Sequence, residues 1–317
     1  MSTVNSTTRR VLVFGSAGQG KSSLINNLLG REVAPCAEQL PGVTFETNGP
    51  FQFSHDGVSF DLFDTAGLNE TAEGSVPAEQ AANRLMDFVL SLKDGLHLIL
   101  FVMNGRMTAA LEANFALIQN LTGGKVPVVL VVSSCDKRLP ERSNLTPAGE
   151  MQQVQEAVCG EIQQYTFLRD CAGVVTTITP WGNRSTVVYR EHIAYSVETL
   201  KREMCSKSTT APVLLYSDIS SLTNVLVAGW NVCANYLGGV LNLVVDDQLA
   251  QKFASIGLNL NQARQYLVRL QRAAAKISAN FAARRIQEFA GSLWDRITNP
   301  LVNIAQTVRE VLAPSDE

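Results

Sequence analysis

Short unbroken apolar runs alternate with stretches of helical period through the first half of the chain. Val11-Leu12-Val13-Phe14, Leu96–Met103, Val126–Val132 and Val174–Thr179 each read as a strand buried on both faces. Ser23–Leu29, Ala78–Leu92 and Thr108–Leu121 read as helices, the first stopped by Gly30. Phe51–Ser54 and Val58–Phe63 instead alternate at period two around His55-Asp56-Gly57, which predicts a β-hairpin with a D-G turn and a solvated His55 at its tip. Helices between buried strands imply right-handed β-α-β crossovers. The expected fold is therefore α/β, a mostly parallel sheet with helices on both faces and its ligand at the C-terminal ends of the strands.

Beyond Pro212 the pattern is helical throughout, so the chain divides into a disordered start (1–10), an α/β domain (11–205), a linker (206–212) and an all-α region (213–317). Ile219–Val245 holds no charged residue and is long enough to span a bilayer. Asn224, Asn231, Asn235 and Asn242, however, fall within about 40° of one another on a helix, which is a polar stripe. Lys252–Arg285 follows with seven basic residues and no acid, and a span would carry those charges to the wrong side. A packed or interfacial helix is expected. Ile256, Leu260, Ala263, Leu267, Leu270, Ala274, Ile277 and Phe281 step by 4 and 3, a heptad seam. An intramolecular helical hairpin with 219–245 is the reading, with a dimeric coiled coil or a membrane-surface helix as alternatives. Phe289, Leu293 and Ile297 continue an apolar face until Asn299-Pro300 is expected to break the helix.

The chemistry lies between the first strand and the first helix. Gly15-Ser16-Ala17-Gly18-Gln19-Gly20-Lys21-Ser22 fits G-x-x-x-x-G-K-[ST] at every fixed position. Gly15, Gly18 and Gly20 let backbone N–H groups wrap a phosphate chain, with Gln19, Ser23 and the helix N-terminus in the same cradle. Lys21 would reach the β- and γ-phosphates, and the Ser22 hydroxyl would ligate Mg²⁺. In the loop that follows, Thr44 of Pro41-Gly42-Val43-Thr44 is the candidate to close over Mg²⁺ and the γ-phosphate, with Thr47 as the alternative. Asp64-Thr65-Ala66-Gly67 ends the hairpin strand: Asp64 would hold Mg²⁺ through water and the Gly67 N–H would sense the γ-phosphate. Ser133-Ser134-Cys135-Asp136 stands where GTPases carry N/T-K-x-D. Asp136 there would accept from guanine N1–H and N2–H₂, which adenine cannot supply; otherwise it merely caps the following turn. After the last strand, Trp181 could stack on the base and Asn183 contact it.

Composition adds limits. A hydrophobic share of 46% suits a globular core, and a net charge of −3 gives no pull toward nucleic acid. Six cysteines without C-x-x-C or His pairing point to reduced cytosolic thiols with no zinc site. Met1–Arg10 has no apolar h-region, so no secretory signal is read there and the chain is placed in the cytoplasm.

Gly95-Leu96-His97-Leu98-Ile99-Leu100-Phe101-Val102-Met103-Asn104-Gly105-Arg106-Met107-Thr108 resembles the G-P-H-A-x-L-L-V-x-x-x-G-R-x-T signature of the immunity-associated nucleotide-binding GTPases, relatives of septins and Toc receptors. Gly20-Lys21-Ser22-Ser23 with Asn27-Leu28-Leu29-Gly30, and Asp64-Thr65-Ala66-Gly67-Leu68, are similar to the family's loop helix and D-T-P-G-L. The 41–44 and 64–68 stretches equally resemble Era-like GTPases. The resemblance covers residues 10–205 and implies a P-loop G-domain that binds GTP and GDP with Mg²⁺ and hydrolyses GTP. It also implies that G-domains face one another in a homodimer, where Arg106 would act across the interface; the alternative is a surface Arg106 paired with Glu112 or another acid. Leu68 stands where Ras-type enzymes keep a water-orienting Gln, so hydrolysis is expected to be slow. Ser134 replaces the family's Lys or His, which leaves an ATPase open. A nucleotide-binding scaffold whose helical tail meets a protein partner or a membrane surface is the non-enzymatic alternative.

Overall fold

The computed structural model describes residues 8–16, 18–34, 47–65, 78–105, 107–141, 143–178, 189–236, 241–254 and 256–311. Within them six strands form one sheet: β1 (Arg9–Phe14), β2 (Thr47–His55), β3 (Val58–Thr65), β4 (Leu98–Met103), β5 (Val128–Val132) and β6 (Gly173–Thr176). Their order is β2-β3-β1-β4-β5-β6, with β2 antiparallel to β3 and every other pair parallel. The helices are α1 (Lys21–Leu29), α2 (Ala78–Ser91), α3 (Ala109–Thr122), α4 (Pro147–Ile162), α5 (Arg190–Lys207), α6 (Ile219–Tyr236), α7 (Asp247–Ala254) and α8 (Leu260–Val311).

The unbroken apolar runs sort residue by residue onto two cores. Leu12, Phe14, Ile99, Phe101, Leu130 and Val132 face one side, packed with α2 and α3. Val11, Val13, Leu98, Leu100, Val129 and Val131 face the other, packed with Leu24, Ile25 and Leu28 of α1 and Leu200 and Met204 of α5. This is the arrangement of a parallel sheet covered on both faces. The hairpin turn has φ of 47° at Asp56 and 76° at Gly57, the left-handed pair a two-residue connection demands. His55 is not solvated as expected: its side chain is 15% exposed, 3.5 Å from Glu198 of α5 and 3.5 Å from Asp56. Alternation along one hairpin carries no signal for a helix that arrives from far along the chain. At the open edges, β2 carries a register shift between Asn48 and Phe51 that includes Pro50, and β6 is only four residues long.

The sheet starts earlier than the sequence suggests, because polar groups are paired at its lower end. Arg9 Nη1 donates to the Cys205 carbonyl at 2.8 Å and to Ser208 Oγ at 2.6 Å, so Arg9 and Arg10 belong to β1 rather than to a disordered start. His97 is 2% exposed, and its Nδ1 accepts from the Arg10 N–H at 2.9 Å. Burial, aided by Arg9 and Arg10, holds its pKa below 6.5, so the folded state keeps this imidazole neutral. The unfolded chain takes up a proton that folded His97 refuses, so stability present above pH 6.5 is lost as pH falls toward the folded value. Denaturation midpoints are expected to drop between pH 7.5 and 5.5, and to drop less in His97→Asn, which keeps an acceptor; equal drops in both proteins would remove His97 as the cause.

The stretch expected as a linker is docked instead. The Thr209 N–H donates to the His97 carbonyl at 3.0 Å, and Leu96 and Val213 exchange backbone bonds at 3.0 and 2.7 Å. Gly95 makes this approach available, since a Cβ there would lie 2.7 Å from the Val213 carbonyl oxygen. The chain then enters α6, which packs on α2 and α3. Leu222, Leu226 and Trp230 are fully buried, while Asn224, Asn231 and Asn235 form the exposed polar face, as the asparagine spacing predicts. Gly229 lets α6 sit so close that a Cβ would meet Leu85 Cδ2 at 2.6 Å and Leu121 Cδ2 at 2.9 Å. α6 ends at Tyr236, and no helix among the described residues is long and apolar enough to cross a membrane.

Residues 241–246 follow without helix or strand, held by Asn83 of α2: its Nδ2 donates to the Val244 carbonyl at 2.8 Å, and its Oδ1 accepts from the Val244 N–H at 2.9 Å. Lys252 of α7 pairs with Asp87 at 2.7 Å. The heptad seam of α8 turns inward: Ala263, Leu267, Leu270 and Ala274 are buried, with Ile256, Ile277 and Phe281 packed beside them and Leu260 40% exposed. Its apolar stripe thus closes an intramolecular hairpin on α6 and α7. The expected break at Asn299-Pro300 does not occur, and α8 runs on to Val311. A proline inside a helix removes one backbone bond and crowds the preceding turn, a local cost that the helix carries here.

Candidate nucleotide site

Five parallel strands deliver their C-terminal ends to one crevice, and the loop after β1 lies at its centre. Gly15 packs against β4, where a Cβ would come within 2.3 Å of the Val102 carbonyl oxygen. Gly18 and Gly20 have φ of 66° and 89°, a left-handed bend that turns successive N–H groups toward one concavity. No side chain caps the N-terminus of α1 at Gly20, so the helix presents its first-turn amides to the crevice.

Lys21, 8% exposed, folds back across the loop and donates from Nζ to the Ser16 carbonyl at 2.9 Å. Ser22 Oγ donates to Asp64 Oδ2 at 2.9 Å. Two hard oxygens from β3 and α1 are therefore side by side, and Lys21 directly precedes Ser22 in the chain. That donor set fits Mg²⁺ and a polyphosphate, since Mg²⁺ takes few protein oxygens and shares the rest of its shell with phosphate and water.

The loop is braced from outside. Asn104 N–H at the end of β4 donates to Gln19 Oε1 at 2.6 Å, and Ser133 Oγ at the end of β5 donates to the Gln19 carbonyl at 2.7 Å. Asn114 Nδ2 of α3 donates to Ser16 Oγ at 2.8 Å. Asn27 Nδ2 of α1 reaches the Ile178 carbonyl at 3.3 Å, tying the loop's helix to the segment after β6. Thr65 Oγ1 donates to the Val13 carbonyl at 2.8 Å, which fixes the end of β3 beside β1.

On the far side of the crevice, β5 runs into Ser133 and a 3-10 turn, Cys135–Arg138. Ser134 adopts φ 57°, and the Cys135 N–H donates to the Thr177 carbonyl at 3.1 Å, so Asp136 sits half-exposed at the mouth of the turn. Burial pushes the Cys135 thiol up to about 11; it stays protonated and serves packing. Arg138 Nη1 bridges both Glu161 oxygens at 2.8 and 2.9 Å, and its Nη2 lies where a Cβ on Gly105 would come within 3.1 Å.

Gly15, Gly18, Gln19, Gly20, Lys21, Ser22, Ser23, Asp64 and Asp136 are thus all brought to the strands' C-terminal edge. Thr44, Gly67, Arg106, Trp181 and Asn183 lie outside the described residues, while the alternative Thr47 opens β2. Asn114 and Ser133, each 1% exposed, were passed over by motif reasoning. α3 carries two asparagines, Asn114 and Asn120, and its sequence does not say which one is buried and in need of a partner.

A P-loop G-domain fold, followed by a helical region, is what this sheet and loop set define. The sequence model of a family described as 50S ribosome-binding GTPase matches residues 10–134. Among curated proteins the chain is similar to Immune-associated nucleotide-binding protein 4 of Arabidopsis thaliana, 26% identical over 167 residues that make up 52% of this chain and 49% of the relative. It is also similar to Immune-associated nucleotide-binding protein 10 of the same plant, 27% identical over 120 residues, 37% of this chain and 25% of the relative. The match therefore spans at most half of these relatives' length. The resemblance read from residues 95–108 and 20–30 is the one these relatives bear out. Toc33 from Arabidopsis thaliana is a structural neighbour at 19% identity and a TM-score of 0.38, covering 63% of this chain and 86% of its own. Era from Aquifex aeolicus, bound to GDP and aluminium fluoride, is another at 17% identity and 0.38, covering 60% and 57%.

Proposed function

We propose that the chain is a guanine-nucleotide switch that binds GTP and GDP with Mg²⁺ and hydrolyses GTP slowly. The observation that carries the reading is the placement of Lys21 and of the Ser22–Asp64 oxygen pair beside one glycine-shaped loop. Lys21 and the loop amides would stabilise charge developing on the γ-phosphate during in-line attack by water. Ser22, Thr44 and Asp64 are the residues that would hold Mg²⁺, which supplies charge neutralisation at the phosphates. Gly67 would sense the γ-phosphate, and Leu68 in place of a water-orienting Gln is the reason for slow turnover. Asp136 would select guanine, with Trp181 and Asn183 completing the base site. Arg106 is read as a residue supplied across a G-domain homodimer, worth about 10³–10⁵ in rate. The helical region, whose Arg269, Arg272 and Lys276 are exposed on α8, would serve a protein partner or a membrane surface from the cytoplasmic side.

Competition binding tests the assignment. GTP and GDP should bind at least about tenfold tighter than ATP, as expected where a base-reading carboxylate would be left unpaired by adenine, and Asp136→Ala should collapse that difference. Turnover per molecule should rise with protein concentration and be lost in Arg106→Ala while GTP still binds. Equal affinities for ATP and GTP in the parent would sink the guanine assignment. Tight guanine-nucleotide retention without phosphate release would leave a binding scaffold.

A further inference from the structure

The phosphate-binding loop is shaped from behind by a side chain outside its motif. Asn114 lies on α3 between Ala113 and Phe115 and is 1% exposed. In that apolar setting its amide is costly to bury unless bonded, and Nδ2 donates to Ser16 Oγ at 2.8 Å, 98 residues away in the chain. The same Ser16 offers its carbonyl to Lys21 Nζ at 2.9 Å. A buried amide, a loop serine and the loop's cation thus form one chain of contacts from α3 into the crevice.

We propose that Asn114 is a positioning residue for the phosphate-binding ammonium: by fixing Ser16 it fixes the carbonyl that holds Lys21 and presets that cation for the phosphates of a nucleotide. The inference rests on the nucleotide-binding reading of the loop. A lysine has a long, freely rotating stem, and holding it in place before the ligand arrives lowers the ordering cost of binding. The contact lies at the phosphate end of the crevice, so its effect does not depend on the base. It serves any nucleoside di- or triphosphate that the loop admits. Ser133 and Asn104 brace Gln19 from the other side, while Asn114 holds Ser16.

The test is a double-mutant cycle in the full chain with Asn114→Leu, Ser16→Ala and the two combined, read by titration of fluorescent GDP and GTP and by heat denaturation of the nucleotide-free protein. Each single change is expected to weaken both nucleotides about 5–10-fold, the range of one buried hydrogen bond. The double variant should lose no more than the weaker-binding single variant, and the guanine-over-adenine ratio should stay where the parent has it. A residue that only supports the fold would lower the melting temperature and leave affinity and its coupling to Ser16 unmoved. Ser16→Ala removes a half-exposed hydroxyl and folds even where the buried change does not, so the affinity prediction stands on it independently. Parent-like affinity in either single variant, or losses that add in the double, overturns the proposal. A parent that binds no nucleotide overturns the underlying reading as well.

Discussion

Replacing Lys21 with methionine is expected to lower nucleotide affinity by about 100-fold or more, since a charge-assisted bond to phosphate is worth about 1.5–3 kcal/mol and the ammonium would reach two phosphates. Methionine keeps most of the stem, so the 8%-exposed pocket stays filled and the charge alone is removed. Within the chain the charge gives up its bond to the Ser16 carbonyl, at 2.9 Å, while the stem keeps its packing. The denaturation midpoint without nucleotide should therefore move little. The measurement is the nucleotide content of the purified protein, followed by titration with fluorescent GTP. Unchanged content would reduce the glycine-rich loop to an ordinary strand-to-helix turn.

A second large effect belongs to Trp230. It is fully buried, packs in the core shared by α2, α3 and α6, and donates from Nε1 to the Ala82 carbonyl at 3.3 Å. Trp230→Ala should cost about 3–5 kcal/mol, a large part of the roughly 5–15 kcal/mol that holds a protein folded. Because Leu85, Leu121, Leu226 and Leu267 fall in one continuous cluster, the loss should appear as a single earlier transition. Urea titration followed by circular dichroism and by nucleotide release reads both regions at once. Two separate transitions, only the second shifted, would mean that the helical region and the G-domain fold independently.

The sheet and the phosphate loop were legible in the sequence because both are local. An apolar run specifies a strand buried on two faces, and the glycine spacing around Lys21 specifies a backbone shape without help from the rest of the chain. The docking of residues 208–213 on Leu96 and His97 was not legible. It depends on Gly95 admitting a carbonyl from far along the chain, and a single glycine before a strand reads only as a turn. The asparagine stripe of α6 correctly announced one wet face, yet nothing in it named α2 and α3 as the partners of the other. Pro300 misled because its local cost is real but small beside the length of a 52-residue helix. Asn114 was overlooked because a polar residue in a helix is ordinarily solvent-facing, and only packing reveals which ones are not.

The two margins of the sheet limit how copies of this chain can meet. An open strand edge is a template for another strand, and a long flat one invites stacking of chain upon chain. Here one margin is interrupted by the irregularity around Pro50, whose missing N–H leaves a gap in the ladder, and the other offers only the four residues of β6. Growth of the sheet from molecule to molecule along the described strands is thereby disfavoured at both ends. The homodimer proposed above would therefore form through surfaces other than the strand edges.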